Sequence, residues 1–130
     1  SDAPKLSVVR GIPLPAEPNE IVVLSRPGMA DLLAITCTAA GVIALYDDQN
    51  DVLTQVPGVG IQPFGLAADR RGAGARLYAT NFQDGRVAVI DLPDLATPQS
   101  ARVVAHLGRQ QLCLVRSTDV SCATDGGVAP

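Results

Sequence analysis

Shifting the chain by 44 positions lays Leu33-Ala34-Ile35-Thr36 over Leu77-Tyr78-Ala79-Thr80, and Gly41 to Asp47 over Gly85 to Asp91. Five of the fifteen aligned positions from Leu33 to Asp47 are identical. Pro18 falls over Pro63 with a one-residue indel, and Gly60 matches Gly108 after a few residues added between Leu92 and Ser100. A repeat of this length restricts the chain to architectures in which one supersecondary unit recurs and buries its apolar face against its neighbour.

Turn chemistry predicts what each unit contains. In the second copy, strands are expected over Phe64 to Ala68, Arg76 to Thr80, Arg86 to Leu92 and Ala101 to Ala105. They are separated by turns at Asp69 to Gly74 and Asn81 to Gly85, and by the loop from Pro93 to Pro98. Asp84-Gly85 is a hairpin signal, because glycine takes the positive φ such a turn needs. The first copy repeats the order with Ile21 to Leu24, Leu32 to Thr36, Val42 to Asp47 and Val52 to Val56. Leu6 to Arg10 reads as the outer strand of a preceding unit. Ten Pro and twelve Gly among 130 residues also favour short strands over long helices, and at 47% hydrophobic the chain has the material for a core. The expected class is all-β.

Charge and hydropathy narrow the partners. Ten basic residues against thirteen acidic ones leave a net charge of -3, scattered along the chain, so no basic stripe is available for phosphates and no nucleic acid is expected. The longest uncharged apolar stretch, Leu32 to Tyr46, is interrupted by Thr36, Cys37, Thr38 and Gly41, so no membrane span is expected. Ser1-Asp2-Ala3-Pro4 has neither a basic nor an apolar signal region and reads as a processed or cut start.

Pro63 to Asp69, then Arg76-Leu77-Tyr78-Ala79-Thr80-Asn81, then Asp84 to Asp91 resembles the YVTN-type β-propeller repeat, over roughly Glu17 to Gly108. The first copy departs from it, with Leu33 where the motif has Tyr and Cys37 where it has Asn. The resemblance implies four-stranded antiparallel blades, read as 1–16 (outer strand of a preceding blade and linker), 17–60 (first blade), 61–108 (second blade) and 109–130 (partial blade or C-terminal hairpin). A closed propeller needs about four blades of 40 to 45 residues, roughly 160 in all. The chain is therefore expected to be a propeller fragment, incomplete by itself. The remainder would come from a second polypeptide or from self-association.

Residues that might carry chemistry are few. Cys113 and Cys122, nine apart around Ser117-Thr118-Asp119, read as a disulfide on two short facing strands, which would place the protein in an oxidising compartment. Two reduced thiols, or a tether to a missing chain, are the alternatives. Cys37 reads as a buried small hydrophobe. With one His and no CxxC, no metal site is expected, and no cofactor. His106 reads as a solvated or capping residue more readily than as a general base. Asp31, Asp47, Asp69 and Asp91 recur with the repeat and read as strand-end hydrogen-bonding groups; Asp47-Asp48 with Asp51 reads as a solvated hairpin and not a calcium loop. Gly58-Val59-Gly60 runs into Ile61-Gln62-Pro63 and not into a helix, which excludes a nucleotide loop.

By propeller geometry the channel-mouth candidates are Glu17, Asn19 and Glu20 in the first unit, Gln62 and Phe64 in the second, and Arg109 and Gln110 in the third. With no catalytic constellation in view, the expected role is a binding or assembly scaffold, bacterial-type and extracytoplasmic: periplasmic, cell-surface or secreted. The rival is part of a propeller enzyme, a lactonase-like hydrolase or a redox-enzyme subunit, whose reactive groups lie mostly in missing blades or a partner.

Overall fold

The computed structural model describes residues 4–108, with the backbone of 111–116 and 119–124. Two four-stranded antiparallel meanders dominate. The first runs β1 (Pro18–Arg26), β2 (Met29–Cys37), β3 (Val42–Asp47) and β4 (Val52–Val56), each strand paired to the next. The second repeats the order with β5 (Pro63–Arg71), β6 (Gly74–Asn81), β7 (Val87–Leu92) and β8 (Arg102–Leu107), a 3₁₀ turn at Pro98–Ser100 preceding the last strand. A two-stranded pair follows, β9 (Gln111–Arg116) and β10 (Asp119–Thr124).

The strand registers carry the sequence offset. Leu33 faces Tyr46 across β2 and β3, and Leu77 faces Ile90 across β6 and β7. Pro18 pairs with Cys37 at the start of the first sheet, and Pro63 with Asn81 at the start of the second. Gly41 and Gly85 both take a positive φ, 71° and 69°, and each donates its N–H to the residue four before it at 3.0 Å. The same turn is thus built twice from the one residue type that adopts this conformation without steric cost.

Period-2 alternation gives each sheet two faces. On the first sheet Leu24, Leu32, Ala34, Ile43, Leu45 and Val56 form one face, the front, and merge into one core with Leu77, Ala79, Ala88 and Ile90 of the second. Each fully buried Leu or Ile contributes about 1.5–3 kcal/mol by leaving water. The 44-residue offset carries Leu33, Ile35, Ala44 and Tyr46, the back of the first sheet, onto Leu77, Ala79, Ala88 and Ile90. The contact is therefore front to back, between non-equivalent faces of two equivalent sheets.

The back of the first sheet is partly covered by the chain that leads into it. Leu14 packs on Ile35, Cys37 and Ala44, and the Arg10 guanidinium lies 5.8 Å from the Tyr46 ring centroid while pairing with Asp48. The outer strand expected over Leu6 to Arg10 is absent: residues 4–14 contain no strand, and Leu6, Val8 and Val9 are more than nine-tenths exposed. An alternating apolar segment needs a neighbouring strand to complete its hydrogen bonds, and among the described residues none lies beside it.

The expected strand ends shift as well. The segment Asp69-Arg70-Arg71, read as a turn, extends β5, and the reversal narrows to Gly72 and Ala73.

Candidate functional site

Each four-stranded sheet is entered through a left-handed residue followed by proline. Glu17 has φ 58° and Gln62 φ 57°, immediately before Pro18 and Pro63. Left-handed backbone is costly for such side chains, by about 1 kcal/mol or more, and persists where surrounding bonds enforce it. Here the Thr38 N–H donates to Glu17 O at 2.8 Å and the Phe82 N–H to Gln62 O at 2.9 Å, the same bond in both units.

Glu17 and Gln62 open onto one groove between the two sheets. They line this groove, of about 420 Å³, together with Thr38, Gly60, Ile61 and Gln83. Its polar side chains are one carboxylate, two amides and a hydroxyl, suited to hydrogen bonding.

The other candidates serve the sheets. Asn19 Nδ2 donates to Thr38 Oγ1 at 3.4 Å, and the Glu20 N–H donates to Thr36 Oγ1 at 3.1 Å. Phe64 is half-exposed, and its carbonyl accepts from Thr36 Oγ1 at 2.8 Å. Thr38 Oγ1 donates to Pro63 O at 2.8 Å, so two hydroxyls, one on β2 and one just after it, fasten the end of β2 to the start of β5. Arg109 and Gln110 lie outside the described residues.

At the far end of β1 sits a pair that sequence reasoning missed. Arg26 is buried, its Nη2 2.7 Å from Asp47 Oδ1, and its other N–H groups donate to Ala30 O, Asp31 O and, from the second sheet, Leu95 O at 3.1 Å. Asp47 also accepts from the Gln49 N–H and from Asn50 Nδ2, which makes it the turn-organising group expected of it. The Arg26 guanidinium, aided by the Asn50 bonds, holds the Asp47 carboxyl down at about 2 against the opposing effect of burial. One signal was available: Arg26 and Asp47 recur as Arg71 and Asp91. In the second sheet Arg71 is half-exposed and pairs with Asp69, while Asp91 is 4.0 Å from Arg76.

Linker chemistry accounts for two more polar groups. Val59 O accepts from Asn81 Nδ2 at 2.8 Å and lies 3.0 Å from His106 Nε2, so His106 caps the linker between the sheets. Asp84 is buried and accepts from the N–H groups of Ile61 and Arg86. Tyr46 donates to Asp51 at 2.6 Å, which raises its pKa and keeps the phenol protonated. Burial pushes the Cys37 thiol up. Cys113 and Cys122 occupy directly opposed register positions on β9 and β10.

No family model, curated protein or solved structure matches this chain.

Proposed function

We propose that the chain is a non-catalytic binding and assembly scaffold, part of an extracytoplasmic β-propeller of the YVTN type that another chain or further copies complete. The observation that carries this reading is the front-to-back contact between the two sheets. Such a contact between equivalent units uses two different surfaces, so however many units are added one front and one back stay uncovered. Stacking of this kind covers its last faces by closing into a ring where the rotation between units allows it, as propeller blades do. The front of the second sheet meets that description: Thr80 and Leu107 are exposed and Tyr78 is half-buried. The opposed register of Cys113 and Cys122 supports a disulfide, and with it an oxidising compartment.

The test is the native mass of the protein as isolated from its source, beside its denaturing mass with and without reductant. The expected result is a particle larger than 13.4 kDa that contains further sheet-forming polypeptide. A folded, stable monomer would overturn the reading.

A further inference from the structure

Resting on that assembly reading, we propose that the uncovered front of the second sheet docks the back of the first sheet of a second copy of this chain, head to tail. The contact already made inside the chain supplies its template. The 44-residue offset carries Ala34, Thr36, Leu45 and Asp47 on the front of the first sheet onto Tyr78, Thr80, Val89 and Asp91. Register extends the map, since Val56 faces Ile43 and Leu107 faces Val87.

Thr36 shows what the docked state requires. Its oxygen accepts from the Glu20 N–H while its hydroxyl donates to Phe64 O of the next sheet. Thr80 accepts the equivalent bond, from the Gly65 N–H at 2.9 Å, and among the described residues its hydroxyl proton meets no acceptor. In a second copy the counterpart of Phe64 is Asn19, by the offset that lays Pro18 on Pro63. Thr80 of one copy therefore donates to the Asn19 carbonyl of the next.

Apolar and charged groups agree with this register. Ile21 and Val23 are both 55% exposed on the back of the first sheet, although Leu66, the counterpart of Ile21, packs into the shared core. They lie on β1, whose counterpart β5 packs against β1 and β2 inside the chain, so β5 and β6 of a preceding copy, Tyr78 among them, would cover it. Arg26 reaches the loop between β7 and β8 through Leu95 O. Its counterpart Arg71, half-exposed and paired with Asp69 in the single chain, would reach the loop between β3 and β4, as Arg26 reaches the loop between β7 and β8. The back of the first sheet is the surface that the repeat makes equivalent to the one already docked inside the chain, and this selects another copy as occupant.

Sedimentation velocity on two variants tests this. Leu107→Asp places a charge on the front and Ile21→Asp one on the back, both at exposed positions. Tyr78→Asp and Val23→Asp replace them if circular dichroism shows either variant unfolded. The unaltered chain is expected to form concentration-dependent assemblies, each variant alone to stay monomeric, and the 1:1 mixture to form dimers only, through the one intact interface. Loss of assembly in the front variant alone would mean a front-to-front contact and overturn the proposal. An unaltered chain that remains monomeric at every attainable concentration would also overturn it. If front substitutions then unfold the monomer, its own β9–β10 pair is the occupant. The scaffold reading survives that result if the particle from the source contains a different polypeptide, and falls with it if the source protein too is monomeric.

Discussion

Arg26 and Asp47 lie 21 residues apart in sequence and meet at 2.7 Å, their side chains 1% and 3% exposed. The pair ties the turn after β3 to the end of β1, and the Leu95 carbonyl extends it to the second sheet. Removing one partner of a buried pair leaves the other charge uncompensated, at a cost of about 3–5 kcal/mol. Asp47→Ala is expected to lose that much in urea unfolding. Asp91→Ala, at the equivalent but more open position, is expected to lose less than about 1 kcal/mol. Equal losses would mean that burial of the first pair does not matter.

The same carboxylate makes stability depend on pH. Its folded pKa lies at about 2, below the ordinary value near 4, so its contribution is complete above pH 4 and is lost as pH falls toward 2. The loss amounts to roughly 2 kcal/mol. Unfolding free energies at pH 6, 4 and 2 should show it, and Asp47→Asn should flatten this part of the profile. An unchanged profile in the variant would remove Asp47 as its source.

Gly60 is held at φ 137°, and a Cβ there would fall 2.4 Å from Asn81 Nδ2. The amide needs that space to donate to Val59 O. Gly60→Ala is expected to cost about 2–3 kcal/mol from backbone strain and overlap together. Gly72→Ala, at φ 55° with nothing within 4 Å of its Cβ, should cost about 1 kcal/mol. Thermal unfolding of the two variants separates the contributions. In the double variant Gly60→Ala/Asn81→Ala the strain remains and the overlap is relieved, so the losses should not add.

Most of the sheet architecture was legible because it is written locally. Alternation over Val87 to Leu92 and turn glycines at Gly41 and Gly85 specify strands and reversals whatever the tertiary partner. The run Asp69-Arg70-Arg71 misled because charge favours loops on average, yet at a solvated sheet end these residues pair as well as any. Leu6 to Arg10 misled for the opposite reason: its pattern is that of a strand, but pairing depends on a neighbour that the pattern cannot supply. The burial of Arg26 was not legible: Arg71 recurs with it yet is half-exposed, and Arg26 alone meets a carbonyl 69 residues away, that of Leu95. Glu17 and Gln62 were named for their place ahead of the inner strands. That both are left-handed follows from the bonds that Thr38 and Phe82 donate to them, which no single residue announces.

Thr36 and Thr80 provide a comparison within one molecule. Thr36 Oγ1 bonds both within its sheet and across to Phe64 O, whereas Thr80 Oγ1 bonds to Gly65 within its own. Replacing Thr36 by Val keeps the shape but leaves the Glu20 N–H and the Phe64 carbonyl without this partner, at a cost of about 1–3 kcal/mol. Thr80→Val in the monomer should cost less than about 1 kcal/mol, because the Gly65 amide lies toward solvent. Chemical denaturation of the two variants under dilute conditions gives the difference directly.

The opposed register of Cys113 and Cys122 predicts their covalent state under oxidising conditions. Directly opposed strand residues have Cβ atoms about 4.5–5.5 Å apart, close enough for a small adjustment to bring a disulfide within reach. Oxidation removes one hydrogen atom from each thiol, passing two electrons to an added oxidant such as oxidised glutathione. Mass spectrometry after alkylation of the unfolded, unreduced chain should find one modifiable thiol, at Cys37, which is buried in the folded protein. After reduction all three should react. Closing so short a loop contributes about 3 kcal/mol on the chain-entropy account. Protease nicking after Arg116 would then leave the two halves joined until reductant is added. Two modifiable thiols at Cys113 and Cys122 before reduction would show that register alone does not bring these sulfurs together.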